Sequence, residues 1–237
     1  MSTGPGTLEH PVVDPDPAGG AVTSRGTPRA RGWIHLWASV VAVGPGIALV
    51  VLAASTVSAA AATATAVYAV TVLALFGASA GYHRGRWASG RTRERMRRLD
   101  HSTIYVFIAG TYTPIAVLAM STPTGPIILA VVWGGALAGV ALTLLWPTAP
   151  RWAGVPLYLA LGWVAVFALP DLLSVGGVAV LVLVVAGGLV YSVGAFGFAL
   201  RRPHGRPATF GFHEYFHTAT VAAALCHHVA IWLLLYA

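Results

Sequence analysis

Apolar residues run along this chain in stretches long enough to cross a bilayer, which takes about 20 helical residues. Seven such stretches fall between Pro, Gly and Arg punctuation, at 33–55, 61–83, 100–120, 125–146, 152–170, 177–200 and 213–236. The fifth and sixth are one long apolar region divided by Pro170, Asp171 and the pair Gly176 and Gly177; without that division the count is six. Ahead of the first stretch, residues 1–31 are rich in Pro, Gly, Thr and Asp and hold no apolar run. This composition predicts a disordered tail followed by a membrane domain over 32–237. The first apolar run, opening at Trp33, is long enough to span, so no cleaved leader is expected.

Composition agrees with the pattern. The 237 residues are 57% apolar and only 9% charged, outside the range of an ordinary soluble domain. Cys226 is the single cysteine, which excludes an internal disulfide and any paired-cysteine metal motif. A metal site in this chain therefore has to use histidine and carboxylate.

Charge then orients the spans. All fourteen basic residues are arginine. Arg25, Arg29 and Arg31 precede the first span; Arg84, Arg86, Arg91, Arg93, Arg95, Arg97 and Arg98 fill the second connection; Arg151 opens the fifth span; Arg201, Arg202 and Arg206 fill the sixth connection. With seven spans every arginine falls on one side, and with six the pattern is lost. The positive-inside rule makes that side cytoplasmic, with the N-terminus inside and the C-terminus outside. The fold expected is an all-α membrane protein, a seven-transmembrane helix bundle. The net charge of +7 is accounted for by this belt and the anionic headgroups it faces, so no nucleic-acid partner is expected.

Orientation decides which polar residues can meet. The second span ends on the arginine side with "SAGYH", placing Ser79 and His83 one turn apart; the third begins there with "LDHSTIY", placing Asp100 in its first turn. The seventh begins there with "FHEYFH", placing His213 and His217 at i and i+4, whose Cβ atoms stand about 5–6 Å apart on one face. His83, His213 and His217 together offer three neutral nitrogens that suit Zn²⁺ and leave a fourth position for water. Asp100 completes the shell directly, or hydrogen-bonds that water and serves as its base. Ser79 serves as an outer partner. An open three-histidine site lowers the pKa of its water towards 7, a hydrolytic rather than a structural arrangement. As a helix N-cap, Asp100 would instead face the arginine connection, and Ser79 alone is common in helix packing.

His227 and His228 lie about 15 Å further along the same helix and cannot join that ion. They share the interior stripe with His217 and Thr220 and are expected as a hydrogen-bonded lining; Cys226 points away from it. Haem is disfavoured, because no other span offers a histidine opposite them at that depth. Pro114 is expected to kink the third span, with Thr111 and Thr113 satisfying the freed carbonyl groups.

The S-x-x-x-H of Ser79 to His83, "LDHSTIY" followed by "AGTYTP", and "FHEYFH" resemble the hemolysin III family, the bacterial branch of the progestin and adipoQ receptor family. The resemblance covers residue 33 to the C-terminus. It implies a zinc ion near the cytoplasmic face held by His83, His213 and His217, with Asp100 near a zinc-bound water and Ser79 beside it. It also implies a multi-pass protein of the bacterial inner membrane. The family is similar to alkaline ceramidases, which suggests hydrolysis of a lipid amide or ester, and its bacterial members are linked to membrane-lipid homeostasis. Three functions follow as expectations: a zinc-dependent lipid hydrolase with Asp100 and Ser79 at its catalytic centre, a non-catalytic zinc-stabilised membrane sensor or receptor-like regulator, and a pore-forming hemolysin. The pore has least support, since no ring of charge lines the spans.

Overall fold

The computed structural model describes residues 28–203 and 209–237. Their regular structure is helical throughout: α1 (Trp33–Thr56), α2 (Ala59–Arg84), α3 (Gly90–Ala119), α4 (Thr124–Leu145), α5 (Arg151–Trp163), a 3₁₀ segment (Val164–Ala168), α6 (Leu169–Ala199) and α7 (Phe212–Leu234). Six helical stretches are long and apolar enough to span a membrane, with Ala153–Ala199 forming one of 47 residues.

Local chemistry sets the boundaries. Ser58 caps α2 by accepting from the Ala61 N–H. Ser89 caps α3 in the same way through the Thr92 N–H. The third span was expected to begin at Asp100; the helix instead begins ten residues earlier. Arg91 to Arg98 therefore lie on a helix, which Glu94 supports by ion pairs to Arg97 and Arg98 at i+3 and i+4. Hydropathy misses this extension because its residues are charged, and Asp100 consequently sits in the third turn and is no N-cap.

The long fifth stretch bends twice. Helix continues through Pro170, which stands in the first turn of α6 where its missing N–H costs nothing. The break lies at Gly177, whose φ of 68° and ψ of −172° are a conformation open to glycine. Before that break the chain passes from one end of α3 to the other. Arg97 and Arg98 at the start of α3 donate to the Pro147 and Leu144 carbonyls just before α5. The Ser121 N–H, beyond the other end of α3, donates to Asp171 Oδ2. After Gly177 the chain returns along α7: Gly187 packs under His227, Gly194 under Ala219, and Phe198 meets His213.

α3 is the central helix, with 72% of its apolar window buried, against 44% or less in the other stretches. Large apolar side chains such as Ile47, Leu137, Phe167 and Val193 point outward from the rest, the surface that lipid would cover. α3 also runs unbroken through Pro114. The expected rescue by threonine takes another form: Thr111 and Thr113 donate to the carbonyls of Phe107 and Ala109, not to that of Gly110, which the proline leaves free.

Residues 1–27 of the expected tail lie outside the described residues. Pro28 to Gly32 are described, and they fold over the end of the bundle. The Ala30 N–H donates to the Thr209 carbonyl, Arg31 pairs with Glu214, and Arg84 stacks its guanidinium on Trp33, 3.5 Å from the ring centroid.

Candidate metal centre

Three helix ends converge where the arginines gather. α2 carries Ser79 and His83 into its last two turns, α3 brings Asp100, and α7 begins with His213 and His217. Glu214 fixes that last helix start. Its side chain accepts from the Gly211 N–H at 2.8 Å, closing the first turn so that His213 and His217 project from one face.

The five residues expected at the site are brought together. His83, His213 and His217 offer ring nitrogens that all lie within 4.8 Å of one another. His213 Nε2 and His83 Nε2 stand 3.1 Å apart. Ligands on a tetrahedral zinc ion, each at about 2.0–2.1 Å, are separated by about 3.3 Å, so this pair already has nearly the spacing that an ion would impose. The third ring, His217, is 3% exposed, and its Nδ1 is buried without a hydrogen-bond partner. Asp100 places Oδ2 3.6 Å from His83 Nε2 and 3.8 Å from His101 Nδ1. Ser79 Oγ faces the Asp100 carboxylate but closes no hydrogen bond with it. Nitrogen donors converging at one point, an acceptor beside them and unsatisfied polar atoms at both edges fit a divalent ion of zinc type.

Two participants escaped the sequence reading. His35, near the start of α1, is buried and lies flat on His217, ring centroids 3.9 Å apart. Its position two residues into a span that starts on the arginine side was the available signal. Glu214 is the other. It stands between the two histidines of α7 and has no exposed surface, and its partner Arg31 belongs to the segment expected as tail.

The deeper histidines are lining residues. His227 Nε2 faces the Val184 carbonyl at 3.4 Å, and its ring occupies the space that a side chain on Gly187 would need. His228 Nε2 accepts from Trp232 Nε1 at 2.7 Å and stacks near Tyr68. His227, Tyr191, Ser192, Thr111 and Tyr112 share the lining of a largely apolar cavity between α3, α5, α6 and α7 that reaches Phe107 and Met120.

Comparison with known proteins agrees with the motifs. The family model described as Haemolysin-III related matches residues 23–228, starting inside the expected tail and covering all three helix ends of the site. Hemolysin-3 of Bacillus cereus is 37% identical over 103 residues, 42% of this chain and 46% of that protein. The chain thus spans about half the length of that relative. The Hemolysin-3 homolog of Bacillus subtilis strain 168 is 32% identical over 149 residues, 62% of this chain and 68% of the relative. A match over most of the chain, including the stretches that carry His83, His213 and His217, makes this protein a member of the haemolysin III family.

Proposed function

We propose that this chain is a zinc-dependent membrane hydrolase of lipid amide or ester bonds, acting in membrane-lipid homeostasis. The observation that carries the reading is the meeting of His83, His213 and His217 with the Asp100 carboxylate 3.6 Å away at one end of an apolar bundle. Zinc held by three imidazoles supplies a Lewis acid and a water of near-neutral pKa. The residues of the chain do the rest. Asp100 takes the proton of the attacking water at Oδ2 and returns it to the leaving amine or alcohol, so water is added across the C–N or C–O bond. Ser79, one turn before His83, presents its unpaired hydroxyl to that carboxylate. The acyl chain enters sideways between helices, and the headgroup stays near the arginines.

The topology belongs to the same proposal: seven crossings, with the N-terminus cytoplasmic, the C-terminus outside and the chain in the bacterial inner membrane. Its support is the path of Ala153–Ala199, which leaves the end near Arg97, reaches Ser121 through Asp171, and comes back to His213 after Gly177. Arg31, Arg84, Arg97 and Arg98 gather at one end, as the positive-inside rule asks of a cytoplasmic face. Membrane lipids are the partners this reading expects, as substrate and as anionic headgroups against those arginines. The likeness to the progestin and adipoQ receptors and the ceramidases supports the same assignment of roles.

A second reading is favoured by one observation. α7 packs mainly on α6, and α2 mainly on α1 and α3, so His83 and His213 form a link between helices that otherwise have little contact. An ion there would staple the bundle and make the protein a metal-stabilised sensor or receptor-like regulator. A lytic pore, suggested by the name of the Bacillus proteins, has no line of charged residues through the described spans to support it.

Metal content and lipid turnover of the purified chain separate these readings. The hydrolase reading expects about one zinc per chain, kept in D100A and lost in H217A, with turnover of lipid amides or esters lost in both. Zinc without any lipid product leaves the sensor. A wild-type chain without zinc ends both.

A further inference from the structure

His35 takes no part in the mechanism above, yet it lies against the site. It sits in the first turn of α1, 3% exposed, with its ring on that of His217 and the two planes 12° from parallel. Its other side packs against Phe76, at 5.0 Å between centroids, which in turn meets Phe107. Tilted ring contacts from α3 and α2 thus lead to His35, which alone stacks on a candidate metal ligand of α7.

For stacking alone, phenylalanine would be the cheaper residue. A neutral imidazole carries one donor and one acceptor, and leaving such atoms buried and unpaired is destabilising. One edge of the His35 ring approaches the His217 main chain, but neither nitrogen closes a hydrogen bond. The His217 main chain is thus the one group among the described residues that approaches the His35 nitrogens, and it stops short of a hydrogen bond.

Coordination does not supply a partner. His83, His213 and His217 would hold the ion, and the His35 ring lies stacked on the face of His217 rather than beside the three nitrogens. His35 is accordingly absent from the cluster of three mutually close nitrogens. A molecule bound beside the His217 ring on the α1 side would instead meet the His35 nitrogens, which close no hydrogen bond within the chain.

We infer that His35 is a ligand-binding residue of the centre, donating a hydrogen bond to the carbonyl-type oxygen of the molecule that takes the open position. The inference rests on the metal reading above and adds to it a contact from α1, the helix that continues from the Arg31 segment. It makes α1 part of the substrate pocket.

The test uses the full chain in detergent with Co²⁺ in place of Zn²⁺, so that the visible d–d spectrum reports on the centre, and acetohydroxamic acid as the probe. H35F keeps a flat ring for the stack and removes both nitrogens. It is expected to take up one cobalt per chain with the wild-type spectrum, and to need about tenfold more acetohydroxamate for half-saturation, the loss of one hydrogen bond. An unchanged titration in H35F overturns the inference and leaves His35 as packing. Loss of cobalt from folded H35F also overturns it, because His35 is then a ligand. If H35F does not fold, H35M fills the slot without a nitrogen, and the same outcomes apply. A wild-type cobalt spectrum that ignores acetohydroxamate removes the open position and the inference together. A wild-type chain that binds neither metal sinks the metal reading itself, whereas cobalt binding with an unaltered H35F titration sinks only this one.

Discussion

Arg31 forms an ion pair with Glu214, a carboxylate with no exposed surface that stands next to His213 in the chain. The pair ties the segment before α1 to the first turn of α7. Because Glu214 also accepts from the Gly211 N–H, one side chain both caps the helix and anchors the strap above it. Truncating one partner of a fully buried pair costs about 3–5 kcal/mol, since the other charge is left uncompensated. The Arg31 side chain keeps 23% of its surface exposed, so R31A is expected to cost about 2 kcal/mol. R31M combined with E214Q should be less destabilised than R31A, because no lone charge remains. Thermal melts in detergent check the order of the three.

Gly32 joins that strap to α1 beside the histidine cluster. Its φ of 76° is left-handed, and a Cβ there would stand 2.9 Å from His83 Cβ and 2.8 Å from Arg84 Cγ. G32A is therefore strained twice, once in its own backbone by about 1–2 kcal/mol and once against His83, a ligand in the proposed zinc site. We expect zinc affinity to fall about tenfold, the scale of a disturbed outer shell. Competition with a chromogenic chelator measures it; equal affinity in G32A would mean that His83 yields freely.

Tyr112 holds the junction between α5 and the 3₁₀ segment. Its hydroxyl donates to the Gly162 carbonyl at 2.6 Å and accepts from the Ala165 N–H at 2.7 Å. Y112F leaves both main-chain groups unpaired and is expected to cost about 1–3 kcal/mol. Hydrogen exchange should quicken around Gly162 to Ala165 while α1 and α2 keep their protection. Uniform loosening of the whole bundle would contradict a local role.

Metal removal gives the broadest test. A ligand that binds only the folded state stabilises it by mass action, about 4 kcal/mol at a thousandfold excess over the dissociation constant. Stripping the chain with a strong chelator should lower Tm, and added Zn²⁺ should restore it. H217A should melt at the lower temperature in both conditions. A chelator shift of equal size in H217A would place the responsible metal elsewhere.

Much of this protein was legible along the chain. Apolar run length locates the helices because lipid admits little else, and the i, i+4 spacing of His213 and His217 puts both on one face whatever surrounds them. Arginine placement marks the end of the bundle where Ser79, His83 and Asp100 join them. Other features depend on interactions that hydropathy does not register. α3 starts at Gly90 because Ser89 caps it and Glu94 pairs along it, a helix made of charged residues. The break falls at Gly177 and spares Pro170, since proline in a first turn gives up no hydrogen bond and only a glycine meets that φ and ψ cheaply.

Tertiary structure alone decided the pairings between distant elements. Arg31 and Glu214 are 183 residues apart, and nothing local in either stretch links them. His35 and His217 likewise belong to the first and last helices, and their near-parallel stack arises only when α7 closes against α1. Residue type and spacing set what each helix can present at a given depth. Which faces meet there is set by packing among all the helices at once, and packing is what turned a polar position in α1 into a neighbour of the histidine cluster.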